Sequence, residues 1–469
     1  MLGRLFILSM LAVMGIPGAN ASVDIVKSGP PDGTDFSSPL NPLEEFQRTR
    51  AVLDYFHVPE EADTLAAMEA LQGSRSFQSV SRLLPFIDNH SQFSRYVNAT
   101  DQTLDFFQDR DSKTVADFNV SLIPDGQPGA AVLSLARILA ARKNPADKPL
   151  QGLRIALDPG HMGTDYWDEL TGKFVHDTHG NKLSEGTLTL QTATLLASDF
   201  QALGAETMIT RYRLAPVTGV DYNTFSPQER QEDQLRSDVL LNWFRLLLPT
   251  SPAGPELFHA FDQSPEVKRV FSDLDRVNYY TSIDLQARVD AISAFNPDLT
   301  IIIHYDAGNT VGDQNGVNTE SHDGTKTYVA GAFDTSEFAT RGDRVSLAQH
   351  LLSEPTWDAS VALSKSLAGQ VSSGLGIGFD PQSPGNTARP APGVYSRNLY
   401  LLKKLPGFVV SYIECLFYND PKEFEALRSP DHTIQIDGQS LPYSDRLLQV
   451  EQALKAGTVS FVKNFEAGN

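Results

Sequence analysis

The chain has 469 residues, 41% of them hydrophobic and 20% charged, with a formal net charge of −20. That length exceeds one ordinary core and predicts two units, and the balance of apolar and charged residues excludes a disordered chain. The acidic excess is spread without long runs, so it suits solubility and excludes the phosphate-tracking surface that a nucleic-acid partner would need.

The first residues read MLGRLFILSMLAVMGIPGANAS. Arg4 supplies a short positive segment, Leu5 to Ile16 an apolar core, and Ala19-Asn20-Ala21 a small-x-small cleavage pattern, so residues 1–21 read as a signal peptide. The apolar run is about half the ~20 residues that a bilayer span needs, and no later stretch is long and apolar enough to span. Cys415 is the only cysteine, so an exported chain would have no intramolecular disulfide and would rely on its cores or a metal. The expected location is periplasmic or secreted.

Residues 22–42 are rich in Pro, Gly, Ser and Asp and read as a flexible linker. Residues 43–142 read as a mainly helical N-terminal region of unassigned role. Phe46, Val52, Leu53 and Phe56 recur at helical spacing, Leu104, Phe106 and Phe107 less cleanly, and Ala131 to Ala141 reads as a helix. KNPADKPLQ then reads as a second linker.

From Leu153 the character changes. LRIALD (153–158) is a continuous apolar strand, Thr187 to Leu203 a helix closed by Gly204, and AETMITR (205–211) the next strand. Strand, helix, strand implies parallel pairing. Asp284 to Phe295 is a further amphipathic helix, DLTIII (298–303) a buried strand, Tyr328 part of a shorter one, and Ala359 to Ser373 a helix. FVVSYI (408–413) is the last apolar strand and Asp445 to Asn464 a closing helix. Residues 150–469 therefore predict one α/β domain with a mostly parallel sheet flanked by helices. Two excursions interrupt it, at about 212–281 and 331–358, and such long segments are often lids or regulatory elements.

His161, His304 and Glu414 each directly follow one of these apolar strands, and Glu185 lies just before a helix. The carboxyl ends of parallel strands share one rim, where open α/β sheets place ligands. Two imidazoles and a carboxylate suit Zn²⁺ and leave a position open for water or a substrate oxygen, the mark of a catalytic site. Such zinc acidifies water towards a pKa of ~7 and polarises a carbonyl. A further carboxylate can take the water's proton and pass it to a leaving amine, and Glu414 is placed for that; its apolar flanks make it costly to bury without a function. Asp158 is the candidate to orient a ligand or the turn.

Other residues fit plainer roles. Cys415 reads as a small core residue. His176 and His179 have HxxH spacing but lie in a polar loop, and Glu169 competes weakly with Glu185. The glycines of LGIG and the preceding GQVSSG suit a helix end, not a phosphate cradle.

Four blocks occur in order: ALDPGHMGTD, SEGTLTLQTATLLASDFQALGAETMITR, DLQARVDAISAFNPDLTIIIHYDAG and VVSYIECLFYNDPKEFEAL. Together they resemble the zinc-dependent N-acetylmuramoyl-L-alanine amidases of the amidase_3 type, over roughly residues 152–469 with both excursions excluded. The family's metal-binding His, Glu and His match His161, Glu185 and His304, and its catalytic Glu matches Glu414. Met162 stands where the family usually has a second Gly, and Tyr305 and Asp306 where it has a small residue and Asn. Some relatives carry an insertion after the second His that folds over the metal, which suggests 331–358 as a lid.

The resemblance implies hydrolysis of the amide between N-acetylmuramic acid and L-alanine in peptidoglycan. It leaves room for an activator or divisome-type protein partner. The alternatives are another zinc peptidase or carboxypeptidase acting on wall peptides, and an inactive peptidoglycan-binding regulator. Arg397 is a further candidate to contact a substrate carboxylate.

Overall fold

The computed structural model describes residues 69–88, 92–108, 110–127, 129–163, 168, 171, 173–218, 284–308, 316–317, 322–333, 338, 341–381 and 388–466. Residues 1–21, read above as a signal peptide, the expected linker at 22–42, residues 43–68, Glu169 and most of the 212–281 excursion lie outside them.

The described chain opens with α1 (Phe77–Ile87), capped by Ser76, whose Oγ accepts from Ser79 N at 3.4 Å. The short α2 (Phe93–Tyr96) leads into β1 (Val97–Ala99), β2 (Thr103–Phe107) and β3 (Ala116–Ser121), which form an antiparallel sheet. Here the helical expectation is corrected. Leu104 and Phe106 are buried and the residues between and beside them are not, which is the period-2 alternation of a strand. The adjacent Phe106–Phe107 pair blurs that alternation in the sequence. Helix returns at α3 (Leu133–Ala141).

After α3 the chain is tied down rather than free. Asn144 Nδ2 donates to Gln151 O at 2.7 Å, Lys148 Nζ to Ala202 O at 2.6 Å, and Leu150 N to Leu203 O at 3.1 Å. Then follow β4 (Arg154–Pro159), β5 (Phe174–His176), β6 (Lys182–Ser184), α4 (Glu185–Ala202), β7 (Glu206–Ile209), α5 (Leu285–Phe295), β8 (Leu299–Asp306), β9 (Lys326–Ala330), α6 (Arg341–Leu352), α7 (Glu354–Leu375), β10 (Val394–Arg397), α8 (Tyr400–Lys404), β11 (Val410–Phe417), α9 (Pro421–Leu427), β12 (His432–Ile436), β13 (Gln439–Tyr443) and α10 (Asp445–Asn464).

The main sheet has the order β10-β9-β11-β8-β4-β7. All its pairings are parallel except β9 with β11. Ile155, Leu157, Ile301, Ile303 and Ile413 point to one face, against α3, α4, α7 and α10, while Ala156, Ile302 and Tyr328 point to the other, against α5 and α8. Both faces are covered, which is why the strands read as continuous apolar runs rather than alternating ones. No helix among the described residues is long and apolar enough to cross a membrane.

The reversal of β9 overturns the lid expectation for 331–358. Lys326 lies opposite Glu414 and Tyr328 opposite Tyr412, so β9 runs away from the carboxyl ends of β4, β8 and β11. At ~3.3 Å per residue, Ala330 sits about 13 Å towards the opposite rim. The following α6 packs there, with Phe338, Val345 and Leu351 in one cluster with Val80, Leu104 and Phe106. Arg344 Nε donates to Asp117 Oδ2 at 2.7 Å, joining α6 to β3.

Candidate metal centre

β8 and β11 extend further than the apolar runs alone suggest, so His304 and Glu414 lie inside strands rather than just past them. The parallel register pairs Glu414 with His304, and both side chains leave the same face of the sheet. His161 follows β4 after Gly160. Glu185 is the first residue of α4, whose N-cap Ser184 accepts from Thr187 N at 3.4 Å. The result brings three groups together. His304 Nδ1 lies 2.8 Å from Glu185 Oε1, and His161 Nε2 lies 3.4 Å from Glu185 Oε2. The ligand atoms of His161, Glu185 and His304 all fall within 4.8 Å of one another.

The turn that presents His161 is held by two fully buried arginines. His161 has φ 51°, a left-handed backbone that a non-glycine residue adopts only when its surroundings enforce it. Arg288 Nη1 donates to Pro159 O at 2.6 Å and Asp158 Oδ1 at 3.0 Å, and its Nη2 donates to His161 O at 3.1 Å. Asp284 Oδ2 fixes its Nε at 2.8 Å. Arg211 Nη2 donates to Gly160 O at 3.1 Å and Gly186 O at 2.8 Å, coupling the turn to the start of α4. Asp158 thus supports the turn through Arg288 and Thr210, as expected of an orienting group.

Two close approaches need glycine for space. A Cβ on Gly186 would fall 2.7 Å from Gly163 N and closer still to the Met162 carbonyl, so the segment after His161 and the first turn of α4 lie back to back. A Cβ on Gly160 would fall 2.6 Å from His304 Nδ1, and closer to Cε1 and Nε2. The other face of the His304 ring is covered by the Tyr412 ring, with centroids 4.4 Å apart and planes 12° apart. His304 is therefore held between a backbone and a phenol.

Burial, reinforced by the positive charge of Lys173, holds the His161 imidazole well below its ordinary pKa, so the ring is a neutral donor of the kind a metal ligand must be. Burial and then the Asp306 and Glu185 charges push the Glu414 carboxyl well above the usual range, against the pull of Lys326 and Lys173. Glu414 Oε2 is buried without a hydrogen-bond partner among the described residues. Two imidazoles, a carboxylate and a neighbouring orphaned carboxylate oxygen form a donor set that fits a divalent ion with nitrogen and oxygen affinity. Across from Glu414, Lys326 is buried between Asp306 and Asp380, 2.6 Å from the latter.

Other candidates fall elsewhere. Among the described residues His176 and His179 join no metal-ligating group; His176 stacks on Phe174, and His179 is exposed. Cys415 points into the core, where burial raises its thiol pKa well above normal. Gly376 caps α7 in a left-handed conformation, the helix end expected of LGIG. Tyr305 faces the core and shares a 2.7 Å hydrogen bond with Thr192, whereas Asp306 faces Lys326. Arg397 pairs in register with Ala330, at the rim away from the cluster, and its guanidinium lies over the Tyr328 ring, 5.1 Å from the centroid. That placement corrects its candidacy for a substrate carboxylate. Arg288, Arg211, Tyr412 and Lys326 escaped the sequence reading. The signal for Arg288 was its place on the apolar stripe of α5, between Leu285, Val289 and Ile292.

The family model described as Amidase_3, N-acetylmuramoyl-L-alanine amidase, matches residues 267–440. This span holds His304 and Glu414; the fold brings His161 and Glu185 to them from outside it. Among solved structures, the chain is similar to the N-acetylmuramyl-L-alanine amidase Ami1 from Mycobacterium smegmatis, at 14% identity over 67% of this chain and 98% of that one, with a TM-score of 0.35. It is also similar to the CwlD amidase from Clostridioides difficile in complex with the GerS lipoprotein, at 15% identity over 66% and 98%, with a TM-score of 0.34. The catalytic domain of CwlV from Bacillus (Paenibacillus) polymyxa is similar at 12% identity over 66% and 97%, with a TM-score of 0.33. TM-scores this low carry no weight for function. No curated protein matches the chain.

Proposed function

We propose that the chain hydrolyses the muramoyl–L-alanine amide of peptidoglycan with zinc held by His161, Glu185 and His304, a reading supported by the match of residues 267–440 to the Amidase_3 model of N-acetylmuramoyl-L-alanine amidases. The carrying observation is the meeting of these three groups beside Glu414, a carboxylate with an unpartnered oxygen on the adjacent strand. Zinc in that cluster would supply Lewis acidity, polarising the scissile carbonyl and acidifying a water.

The protein's own part is proton traffic and orientation. Glu414 takes a proton from the attacking water as the carbon–oxygen bond forms, then gives it to the alanine nitrogen as the carbon–nitrogen bond breaks. The products are the lactyl carboxylate on the glycan and a stem peptide with a free amine. Arg288 and Arg211 hold the His161 turn in place meanwhile. A wall substrate agrees with export by the N-terminal segment to the periplasm or beyond.

The test uses residues 22–469 and purified cell wall. The expected result is about one zinc per chain, release of intact stem peptides, and loss of release with a chelator. Release of single amino acids would identify a carboxypeptidase instead. Glu414→Ala should keep zinc and lose at least about 100-fold in rate. Loss of zinc from that variant would contradict its role as base.

A further inference from the structure

The hydroxyl of Tyr412 is used by nothing described so far. Tyr412 stands two residues before Glu414 on β11, so both side chains leave the same face of the sheet. Its ring lies flat on His304, and its edge-on neighbour on the far side is Tyr328, with centroids 5.8 Å apart. Yet the residue is only half-buried, and its hydroxyl has no hydrogen-bond partner among the described residues. Burial, and after it the charges of Glu414 and Glu185, pushes that hydroxyl's pKa well above the ordinary value. The hydroxyl is thus an uncommitted donor on the sheet face that carries Glu414, on a ring stacked against His304.

Resting on the amidase reading, we infer that Tyr412 is a further catalytic residue, whose hydroxyl donates a hydrogen bond to the carbonyl oxygen of the scissile amide. The bond strengthens as negative charge gathers on that oxygen, so it acts on the rate step more than on ground-state binding. Its ring separately steadies His304.

Tyr412→Phe keeps the ring and removes only the donor. Its zinc content and thermal midpoint should match wild type, its KM should stay within about threefold, and its kcat should fall about 100-fold. Tyr412→Leu removes the stack as well and should also weaken zinc binding about tenfold or more. Acetohydroxamate, a small carbonyl-bearing chelator of zinc sites, gives a readout independent of turnover. It should bind the zinc-loaded Phe variant about tenfold more weakly than zinc-loaded wild type. Should wild type release no stem peptide while this difference persists, the amidase reading falls and the placement of the hydroxyl stands. Equal hydroxamate affinities, an undiminished kcat in the Phe variant, or zinc loss from it would each overturn the proposal.

Discussion

Gly160→Ala puts the site's geometry under a defined load. Gly160 has an ordinary backbone, so alanine meets no conformational penalty there. The objection is spatial, since the new methyl would sit 2.6 Å from His304 Nδ1 and nearer to Cε1 and Nε2, where contacts below 3.0 Å essentially never occur. The imidazole cannot retreat, because Tyr412 covers its other face at 4.4 Å between centroids. It must rotate or slide along the sheet, which breaks the 2.8 Å contact of Nδ1 with Glu185. Overpacking of this kind costs about 1–3 kcal/mol in stability. Misplacing one ligand should cost about 10–100-fold in zinc affinity, as loss of an orienting partner does. Competition with a chromophoric chelator would measure the affinity, and stem-peptide release would follow it down. A Gly160→Ala protein that bound zinc as tightly as wild type would refute the picture of His304 as a ring held on both faces.

Further expectations concern stability. Arg288→Met leaves Asp158 and Asp284 without their shared cation in a site with 1% exposure, and should cost about 3–5 kcal/mol in chemical denaturation and weaken zinc retention with it. His350 is buried, with Nε2 2.9 Å from Lys403 O, and burial pulls its pKa from 6.5 to about 4. The unfolded chain takes up this proton below about 6.5 and the folded chain only below about 4, so the stabilisation is complete above the first value and drains away as pH falls to the second. Its ceiling is about 3 kcal/mol. Urea midpoints measured between pH 7.5 and 4.5 should fall less steeply for His350→Gln than for wild type, and identical slopes would show that the ring already accepts a proton in the folded state.

The site was legible where strand chemistry forces it. A histidine or glutamate interrupting or ending an apolar run, as at His161, His304 and Glu414, announces a polar group at the rim of a covered sheet. Glu185 was readable because helix starts are visible in sequence. What stayed hidden depends on partners remote in the chain. The direction of β9 is fixed by pairing with β11, and nothing within KTYVA encodes it; that reversal moved both Arg397 and residues 331–358 away from the cluster. Arg211 looks like an ordinary charge after a strand until the turn it serves is in view, and Arg288 shows only as a charge on an apolar helix stripe, with no partner named by its neighbours. In TLDFF the strand alternation is two buried residues long, too short to outweigh the neighbouring helical pattern.

The packing of α3 bears on how this chain could be shortened. Leu135, Ile138 and Ala141 belong to the same core as Ile155 and Leu157, although they precede the first strand of the main sheet. A fragment begun at residue 150 would open an apolar trench along α10 and invite aggregation. One trimmed to the matched span, 267–440, would keep His304 and Glu414 but forfeit His161, Glu185 and the two strands β4 and β7 that complete one side of the sheet. The smallest piece worth expressing therefore begins before Leu133.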